Sequence, residues 1–303
     1  MISLIVCTYN RRQYIYSALQ HIAANRYDAS KYEIVLVNNN STDDTEVECK
    51  RFVADYSDVP FYYFIETKQG LSHARNRGIH ESKGDVLVFL DDDSLVDPDY
   101  LPRLEQYMVQ YPDMMAFGGR ITPLFESGVA PVWLSPWTYS WVSAIDMGKQ
   151  VRLFEGGKFP IGANMGIRRE CIDKIGLFNT SLGRTEKNLM GGEEKDLFNR
   201  VKAQGMPIYY FPYIHVHHVI PPQRTTDEFI ERMADGIGVS ERVRTCQISK
   251  LAYFKRLIME VIKWGGTFVL FFRYMFEGKP KRGSILLLFR SHVTRGLLGR
   301  AKV

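Results

Sequence analysis

The stretch DVLVFLDDDS, residues 85–94, joins an apolar run directly to three consecutive aspartates. Such a run of β-branched and aromatic residues is typical of a buried strand, and the aspartates stand where that strand ends. In an extended chain alternate side chains share a side, so Asp91 and Asp93 lie together while Asp92 turns away. Clustered carboxylates repel one another, and a divalent cation relieves that repulsion. The stretch predicts a strand ending in a metal site, with a solvated turn before Pro98 as the alternative.

Three more short apolar runs precede this stretch, and segments with helical spacing separate them: ISLIVC at 2–7, EIVLV at 33–37 and PFYYFI at 60–65. Alternation of strand and helix implies right-handed crossovers and a parallel sheet covered on both faces. We therefore predict an open α/β sheet. A further helix is predicted to begin near Glu193, followed by a strand at 207–211.

Polar residues stand at the predicted carboxyl ends of the strands, where sheets of this class bind ligands. Thr8-Tyr9-Asn10 follows the first run, and a polar segment at 38–43 follows the second. Arg75 and Asn76 add guanidinium and amide groups suited to phosphates and to base edges. Neither a G-x-G-x-x-G motif nor a Walker lysine loop occurs, which counts against a dinucleotide dehydrogenase or a P-loop NTPase.

The composition is that of an ordinary globular protein, with 303 residues, 45% apolar, 24% charged and a formal charge of +5. One large or two modest domains fit that length. The four cysteines lie far apart without a Cys-x-x-Cys pair, so we expect reduced, buried thiols in a cytosolic protein. The first residues pass straight into a polar turn, which predicts a strand rather than a signal peptide.

Two further clusters are candidates for chemistry. Glu193, Glu194 and Asp196 open the later helix, where acidic residues commonly complement only the helix dipole. Three histidines, His215, His217 and His218, follow the 207–211 strand, and any of them offers an imidazole to a metal held by Asp93.

Three tryptophans, Trp133, Trp137 and Trp141, recur every four residues. A helical turn there would place them on one face, suited to a sugar or a lipid interface, although packing is the commoner role.

Together these segments resemble the family 2 glycosyltransferases with a GT-A fold, of the type that builds bacterial cell-surface polysaccharides. The resemblance covers roughly residues 1–225. It rests on the order and spacing of CTYNR at 7–11, VNNNSTDDT at 37–45, GLSHARNRGI at 70–79, FLDDDS at 89–94, GANMGIRRE at 162–170, GGEEKDL at 191–197 and a histidine near 218.

The resemblance implies that Asp91 and Asp93 match the ends of the family's D-x-D motif, which holds Mn²⁺ or Mg²⁺ against the donor diphosphate. His218 best fits the spacing of the histidine that contacts the metal or the diphosphate. Glu194 matches the general base, with Glu193 as a competitor for that role. The nucleotide pocket is implied to include Thr8, Tyr9, Asn10, Asn39, Arg75 and Asp92.

The implied reaction is an inverting transfer of one sugar, hexosyl or N-acetylhexosaminyl, from a nucleotide sugar, most simply a UDP-sugar, to an acceptor hydroxyl. Two departures bear on it: asparagines stand at 38 and 39 where the family often has aspartate, and the base position carries Glu194 rather than aspartate. No Q-x-x-R-W motif occurs, which argues against a processive polysaccharide synthase.

The C-terminal part differs in charge from the rest of the chain. From residue 250 onward, 12 Lys or Arg residues face two Glu residues, a net charge of +10, which leaves 27 basic and 32 acidic residues and a net charge of −5 upstream. The apolar stretch 257–276 is interrupted by charges and is a poor membrane span.

We predict a catalytic domain at 1–225, with a nucleotide-binding half at 1–115 and an acceptor half at 116–225. A basic helical tail follows at 226–303. The tail is expected to lie peripherally on the cytoplasmic face of the inner membrane. A packed subdomain or oligomer contact is the alternative, and nucleic acid is not expected as a partner. An interfacial enzyme fits a lipid-linked glycan acceptor.

Two other functions share parts of this pattern. A nucleotidyltransferase that makes nucleotide sugars would use the same α/β nucleotide site, but it would usually show a Gly-rich loop after the first strand. A non-catalytic nucleotide- or sugar-binding membrane protein would not require the acidic residues at 193, 194 and 196.

Overall fold

The computed structural model describes residues 1–184 and 191–301. Within these residues the strands are β1 (Ile2–Thr8), β2 (Tyr32–Asn38), β3 (Phe61–Ile65), β4 (Val86–Asp91), β5 (Ser94–Val96), β6 (Ala116–Phe125), β7 (Arg152–Leu153), β8 (Met165–Arg168) and β9 (Ile208–Ile220).

The α-helices within the same residues are α1 (Arg12–Ala23), α2 (Thr45–Asp55), α3 (Leu71–Glu81), α4 (Tyr100–Gln110), α5 (Arg169–Ile175), α6 (Glu193–Ala203), α7 (Asp227–Ile248), α8 (Lys250–Phe276) and α9 (Pro280–Leu297). Short 3₁₀ turns occupy Ala29–Lys31, Tyr139–Val142, Gly162–Asn164 and Pro222–Thr225.

The strands form one mixed sheet in the order β3-β2-β1-β4-β8-β6-β9-β5, with β7 beside β9. The first four strands of that order are parallel, whereas β4–β8, β8–β6, β9–β5 and β9–β7 pair antiparallel. The predicted α/β sheet is confirmed, and its parallel part ends at β4. Parallel neighbours need a crossover helix, and no α-helix lies between β6 and β8.

Alternate residues of the parallel strands enter two cores, one on each face of the sheet. Leu4 and Val6 of β1 belong to one core together with Leu19 of α1. Ile5 belongs to the other core, together with Ile79 of α3. The sequences of β1, β2 and β4 are continuous apolar runs because both faces of these strands are buried, whereas β3, at the end of the sheet order, is partly exposed.

Two segments differ from their sequence-based predictions. The last strand, predicted at 207–211, continues past Pro212 to Ile220, and the 3₁₀ turn at Pro222–Thr225 follows it. The three histidines therefore lie within β9 and not after the strand. The segment from Trp133 to Trp141 is not an α-helix, since Pro136 stands inside it and lacks a backbone N–H.

The tryptophans of that segment do not share one face. Trp133 is buried and its Nε1 donates a hydrogen bond to the Thr225 carbonyl oxygen at 3.0 Å. Trp141 stacks on Phe289 at 4.2 Å, while Trp137 is 58% exposed. Two of the three therefore serve packing, the alternative raised from the sequence.

The chain divides into two compact units. We call the first the sheet unit, comprising Met1–Leu124, Ser143–Thr180 and Glu194–Val219. The second, the helical unit, comprises the described residues of Phe125–Val142, Ser181–Glu193 and Ile220–Val303.

The long helices α7, α8 and α9 belong to the helical unit. Thr226 caps α7 by accepting a hydrogen bond from the Phe229 N–H, and Ser249 caps α8 in the same way through Ala252. Among the described helices, none has both the length and the apolarity needed to cross a bilayer, which confirms that 257–276 is a poor span.

The four thiols are free. Cys49 and Cys171 are buried and Cys7 is half-buried, but Cys246 on α7 is exposed, so the prediction of buried thiols is wrong at that position. Burial raises the pKa of Cys7 and of Cys49 to about 12, and that of Cys171 to about 11.

Gly166 of β8 pairs with Phe117 of β6, and a Cβ added at 166 would overlap the fully buried Phe117 ring. We expect Gly166→Ala to lower the free energy of unfolding by about 1–3 kcal/mol because the core is overpacked. Urea denaturation measures this. Phe117→Leu in the same chain should recover part of the loss, and purely additive effects of the two substitutions would contradict the steric explanation.

Candidate active site

The carboxyl ends of β2, β1 and β4 meet at one edge of the sheet unit. The register pairs Thr8 with Asn38, and Cys7 with Asp91, so polar residues from three strands lie side by side. Burial keeps the Cys7 pKa near 12, so this edge carries no thiolate at neutral pH. The chemistry available there belongs to oxygen, amide, imidazole and guanidinium groups.

The aspartates that follow β4 meet a cation that the sequence analysis did not assign. Arg11, just after β1, places Nε 3.6 Å from Asp92 Oδ1 and Nη2 3.7 Å from Asp93 Oδ2. Burial raises the pKa of Asp92 to about 7, while the Arg11 charge opposes that rise. The signal was the arginine of CTYNR, whose partners lie far along the chain, in the turn between β4 and β5.

Pairing of β5 with β9 places His218 beside the aspartates. Ser94 is opposite His218 in that pairing, and His218 Nε2 lies 2.9 Å from Asp93 Oδ1, with both side chains at most 1% exposed. Ligand atoms of Asp91, Asp93 and His218 all lie within 4.8 Å of one another. Two carboxylates and an imidazole form a donor set that fits Mn²⁺ or Mg²⁺.

The other two histidines lie on the opposite side of β9, as strand alternation requires. His215 Nδ1 and His217 Nε2 contact the two oxygens of Asp97 at 3.0 and 3.2 Å. Their remaining ring nitrogens contact Thr122 Oγ1 at 2.9 and 3.1 Å. The structure therefore brings His218, and not His215 or His217, to Asp91 and Asp93.

Arg75 of α3 joins the aspartates to the start of α6. It is 2% exposed, and its Nη2 lies 3.9 Å from Asp91 Oδ1 and 3.3 Å from Glu194 Oε1. Glu194 Oε1 also accepts a hydrogen bond from the Gly162 N–H at 3.2 Å. The Arg75 guanidinium lies 5.4 Å from the centre of the Phe178 ring, a cation–π distance.

The two candidate bases differ in exposure. The Glu194 side chain is 21% exposed, while Glu193, the first residue of α6, is 1% exposed. An acceptor hydroxyl must come within hydrogen-bond distance of a general base, so exposure distinguishes the two. Gly162, quoted only as the start of the GANMGIRRE motif, contacts Glu194, and Phe178, which no sequence motif includes, lies against Arg75.

The remaining sequence-predicted residues line the ends of β1 and β2. Thr8 is 2% exposed and lies against Asp92. Tyr9 follows it and is half-buried. Asn10 has a positive φ of 53°, and its Oδ1 accepts from the Thr42 N–H at 2.8 Å.

Asn39 uses both ends of its amide within the protein. Its Nδ2 donates to the carbonyl oxygens of Glu66 and Lys68 at 2.9 and 2.8 Å, and its Oδ1 accepts from the Gly70 N–H at 2.8 Å. The side chain thereby fixes the segment that leads into α3.

Comparison with solved structures addresses the fold. The mannosyltransferase PcManGT from Pyrobaculum calidifontis, in complex with GDP-Man and Mn²⁺, matches 99% of this chain and 88% of its own, with a TM-score of 0.67 and 16% identity. Residues 1–349 of S. aureus TarS, in complex with UDP-GlcNAc, match 79% of this chain and 66% of their own, with a TM-score of 0.55 and 17% identity.

Curated relatives share sequence as well. The glucosyl-dolichyl phosphate glucuronosyltransferase of Haloferax volcanii is 24% identical over 268 residues, which is 85% of this chain and 83% of the relative. The succinoglycan biosynthesis protein ExoM of Rhizobium meliloti is 26% identical over 231 residues, 74% of this chain and 69% of the relative.

The family model described as "Glycosyl transferase family 2" matches residues 3–176, more than half of the chain. This match includes Arg11 and the three aspartates at 91–93, and the relatives and fold neighbours agree with it. The chain belongs to glycosyl transferase family 2 and is a glycosyltransferase with the GT-A fold.

Proposed function

We propose that this glycosyltransferase transfers one sugar, with inversion, from a nucleotide sugar to an acceptor hydroxyl in a metal-dependent reaction. The observation that carries the proposal is the convergence of Asp91, Asp93 and His218, with the Arg75–Glu194 pair beside them. A nucleotide sugar brings a diphosphate, and that group needs cations at such an edge.

Asp91, Asp93 and His218 would hold Mn²⁺ or Mg²⁺, which when bound stabilises the negative charge of the departing diphosphate. Arg11 offsets the buried charge of Asp92 and Asp93 at 3.6 and 3.7 Å, and so keeps the carboxylates together.

Glu194 is the proposed general base. Arg75 and the Gly162 N–H both contact its Oε1, and these contacts restrict the orientation of the carboxylate. Proton removal from the acceptor hydroxyl by Glu194, as the hydroxyl attacks the anomeric carbon from the side opposite the diphosphate, inverts the configuration.

The proposed nucleotide pocket consists of Thr8, Tyr9, Asn10, Asn39, Arg75 and Asp92. Asn10 and Asn39 act in it by holding the loops that surround the nucleotide, since their amides contact the backbone at Thr42 and Gly70. The nucleobase of the donor is then recognised by the loops that these asparagines position. A UDP-sugar is the proposed donor, carrying a hexosyl or N-acetylhexosaminyl group.

The proposed acceptor is a lipid-linked glycan of cell-surface polysaccharide synthesis. One relative is named for glucosyl-dolichyl phosphate and another for succinoglycan biosynthesis, which supports that class. We assign catalysis to residues 1–225 and a peripheral contact with the cytoplasmic face of the membrane to residues 226–303.

The test of the proposed function is a nucleotide-release assay with Mn²⁺ or Mg²⁺ against UDP-, GDP- and dTDP-sugars, with and without a bacterial lipid extract. Metal-dependent release from a UDP-sugar that rises on adding lipid is expected. Nucleotide release from a GDP-sugar and from no UDP-sugar would overturn the donor assignment. Release that a chelator leaves unchanged would overturn the proposed metal dependence.

Replacing His218 should weaken the metal site. We expect His218→Gln to lower the affinity for Mn²⁺ by about 10- to 100-fold or more, because loss of a ligand exceeds loss of an outer-shell partner. Calorimetric titration with Mn²⁺ measures it. His217→Gln is the matched control, since its side chain contacts Asp97 and Thr122 instead. Equal losses in the two variants would contradict the assignment of His218.

Glu194→Gln removes the proposed base while keeping the shape of the side chain. The transfer rate should fall by about 10²- to 10⁴-fold, with donor affinity retained. Single-turnover kinetics with saturating donor separate the two effects. Glu193→Gln is the comparison variant, and a loss confined to that variant would transfer the role to Glu193.

Gly162→Ala tests the positioning of the Arg75–Glu194 pair, because an added Cβ would overlap both side chains. We expect about a 10²-fold lower transfer rate from misplacement of the base. Gly157→Ala in a nearby open loop, where nothing lies within 4 Å of the added Cβ, should leave the rate unchanged. A wild-type rate in Gly162→Ala would show that the pair is not needed in this arrangement.

A further inference from the structure

The helix α8 buries two of its charged side chains, Arg256 and Glu260, inside the helical unit and leaves many of its apolar side chains exposed. Arg256 donates to Glu241 of α7 and to Glu260 at 2.7 Å each, and Arg290 of α9 donates to Glu260 at 3.0 Å. These side chains are largely buried, and Arg256 and Arg290 lower the pKa of Glu260 against the opposing effect of burial. The charges that interrupt the apolar sequence are thus partly turned inward.

The outer surface of α8 is a continuous apolar stripe. Each member lies three, four or seven residues from another member, with Gly265 in the widest gap, which places them along one side of the helix. We call this the α8 stripe: Leu251, Phe254, Ile258, Val261, Ile262, Phe268, Val269, Phe272 and Phe276. Each is at least 46% exposed, and Phe276 is 91% exposed. A helix of 27 residues extends the stripe over about 40 Å.

The charge around the stripe is positive. Lys255 and Arg273 are both exposed. They lie on the same flank of the stripe because they are five helical turns apart. Glu260, the one acidic residue of α8, is 3% exposed. Beyond the helix, Glu277 pairs with Arg273 and Lys279, and Lys281 pairs with Asp227 of α7. The segment from residue 250 onward keeps a net charge of +10.

We propose that the α8 stripe inserts into a bilayer leaflet that contains anionic lipid, with Lys255 and Arg273 at the level of the lipid phosphates. This proposal depends on the proposed function only because both assume that the enzyme works at a membrane. An apolar face beside basic residues matches the acyl boundary and the headgroups of such a leaflet. The inward ion pairs of Glu260 keep the buried charges away from lipid.

A second copy of the chain fits this surface less well. Pairing two α8 stripes would bring the flanks of Lys255 and Arg273 against a stripe that carries no acidic residue of its own. Like charges across an interface oppose association, whereas lipid phosphates offset them. Charge complementarity therefore favours the anionic leaflet.

The test is co-sedimentation of the full chain with vesicles of phosphatidylcholine and phosphatidylglycerol (about 70:30), and with phosphatidylcholine alone. The wild type should sediment with the anionic vesicles. Phe272→Ser combined with Phe276→Ser should bind at least about tenfold more weakly, since two apolar groups no longer enter the leaflet. Val109→Ser, at an equally exposed apolar residue of α4, should bind like wild type.

The charge contribution is tested separately. Lys255→Gln combined with Arg273→Gln should lower binding to anionic vesicles severalfold and leave binding to neutral vesicles unchanged. Lys149→Gln, an exposed lysine of the sheet unit, is the matched control. Circular dichroism confirms that each variant is folded.

Wild-type binding by the Phe272→Ser, Phe276→Ser chain would overturn the proposal, as would a wild-type chain that stays in the supernatant with both vesicle types. A dimer in sedimentation velocity that this double variant dissociates would assign the stripe to a second copy instead. Glu194→Gln should bind vesicles like wild type, so a failure of the proposed catalysis is distinguishable from a failure of membrane binding.

Discussion

The negative charge of Asp91, Asp92 and Asp93 is the constraint on which the arrangement of the sheet edge depends. Buried carboxylates are unfavourable unless cations or donors compensate them. Compensation comes from Arg11 after β1 and from Arg75 on α3, with His218 supplied by β9. The strand order, with β1 beside β4 and β9 beside β5, brings these groups to one place. The same order positions the proposed binding site beyond the strand ends.

Local patterns predicted well what neighbouring residues decide. The first four strands lie within a residue or so of their predicted positions because their apolar runs are continuous, and in β1, β2 and β4 both faces are buried. Asp91 and Asp93 are predicted to share a site because they directly follow such a run, and the structure brings them together with His218. The choice among the three histidines depends on the register of Ser94 with His218, and the partners of Arg11 lie far along the chain, in the turn after β4. Long-range pairing of this kind leaves no local pattern.

The helical unit shows a second limit of sequence patterns. Apolar residues that recur every three or four positions identify one face of a helix, but this spacing does not show whether that face is buried. In α8 the polar side chains of Arg256 and Glu260 lie inside, so the apolar face is the outer one. Composition alone indicated a basic, apolar tail. The ion pairs within the unit explain why charge and apolarity alternate there.

The distribution of the thiols has a practical consequence for labelling. Cys246 on α7 is exposed, whereas burial holds the Cys7, Cys49 and Cys171 pKa values at about 11 or 12, so their thiolates are scarce at neutral pH. A maleimide attacks thiolate in proportion to its abundance and access. The native chain therefore carries one chemical handle, on the helical unit, to which a fluorophore or a surface tether attaches without any substitution near the aspartates.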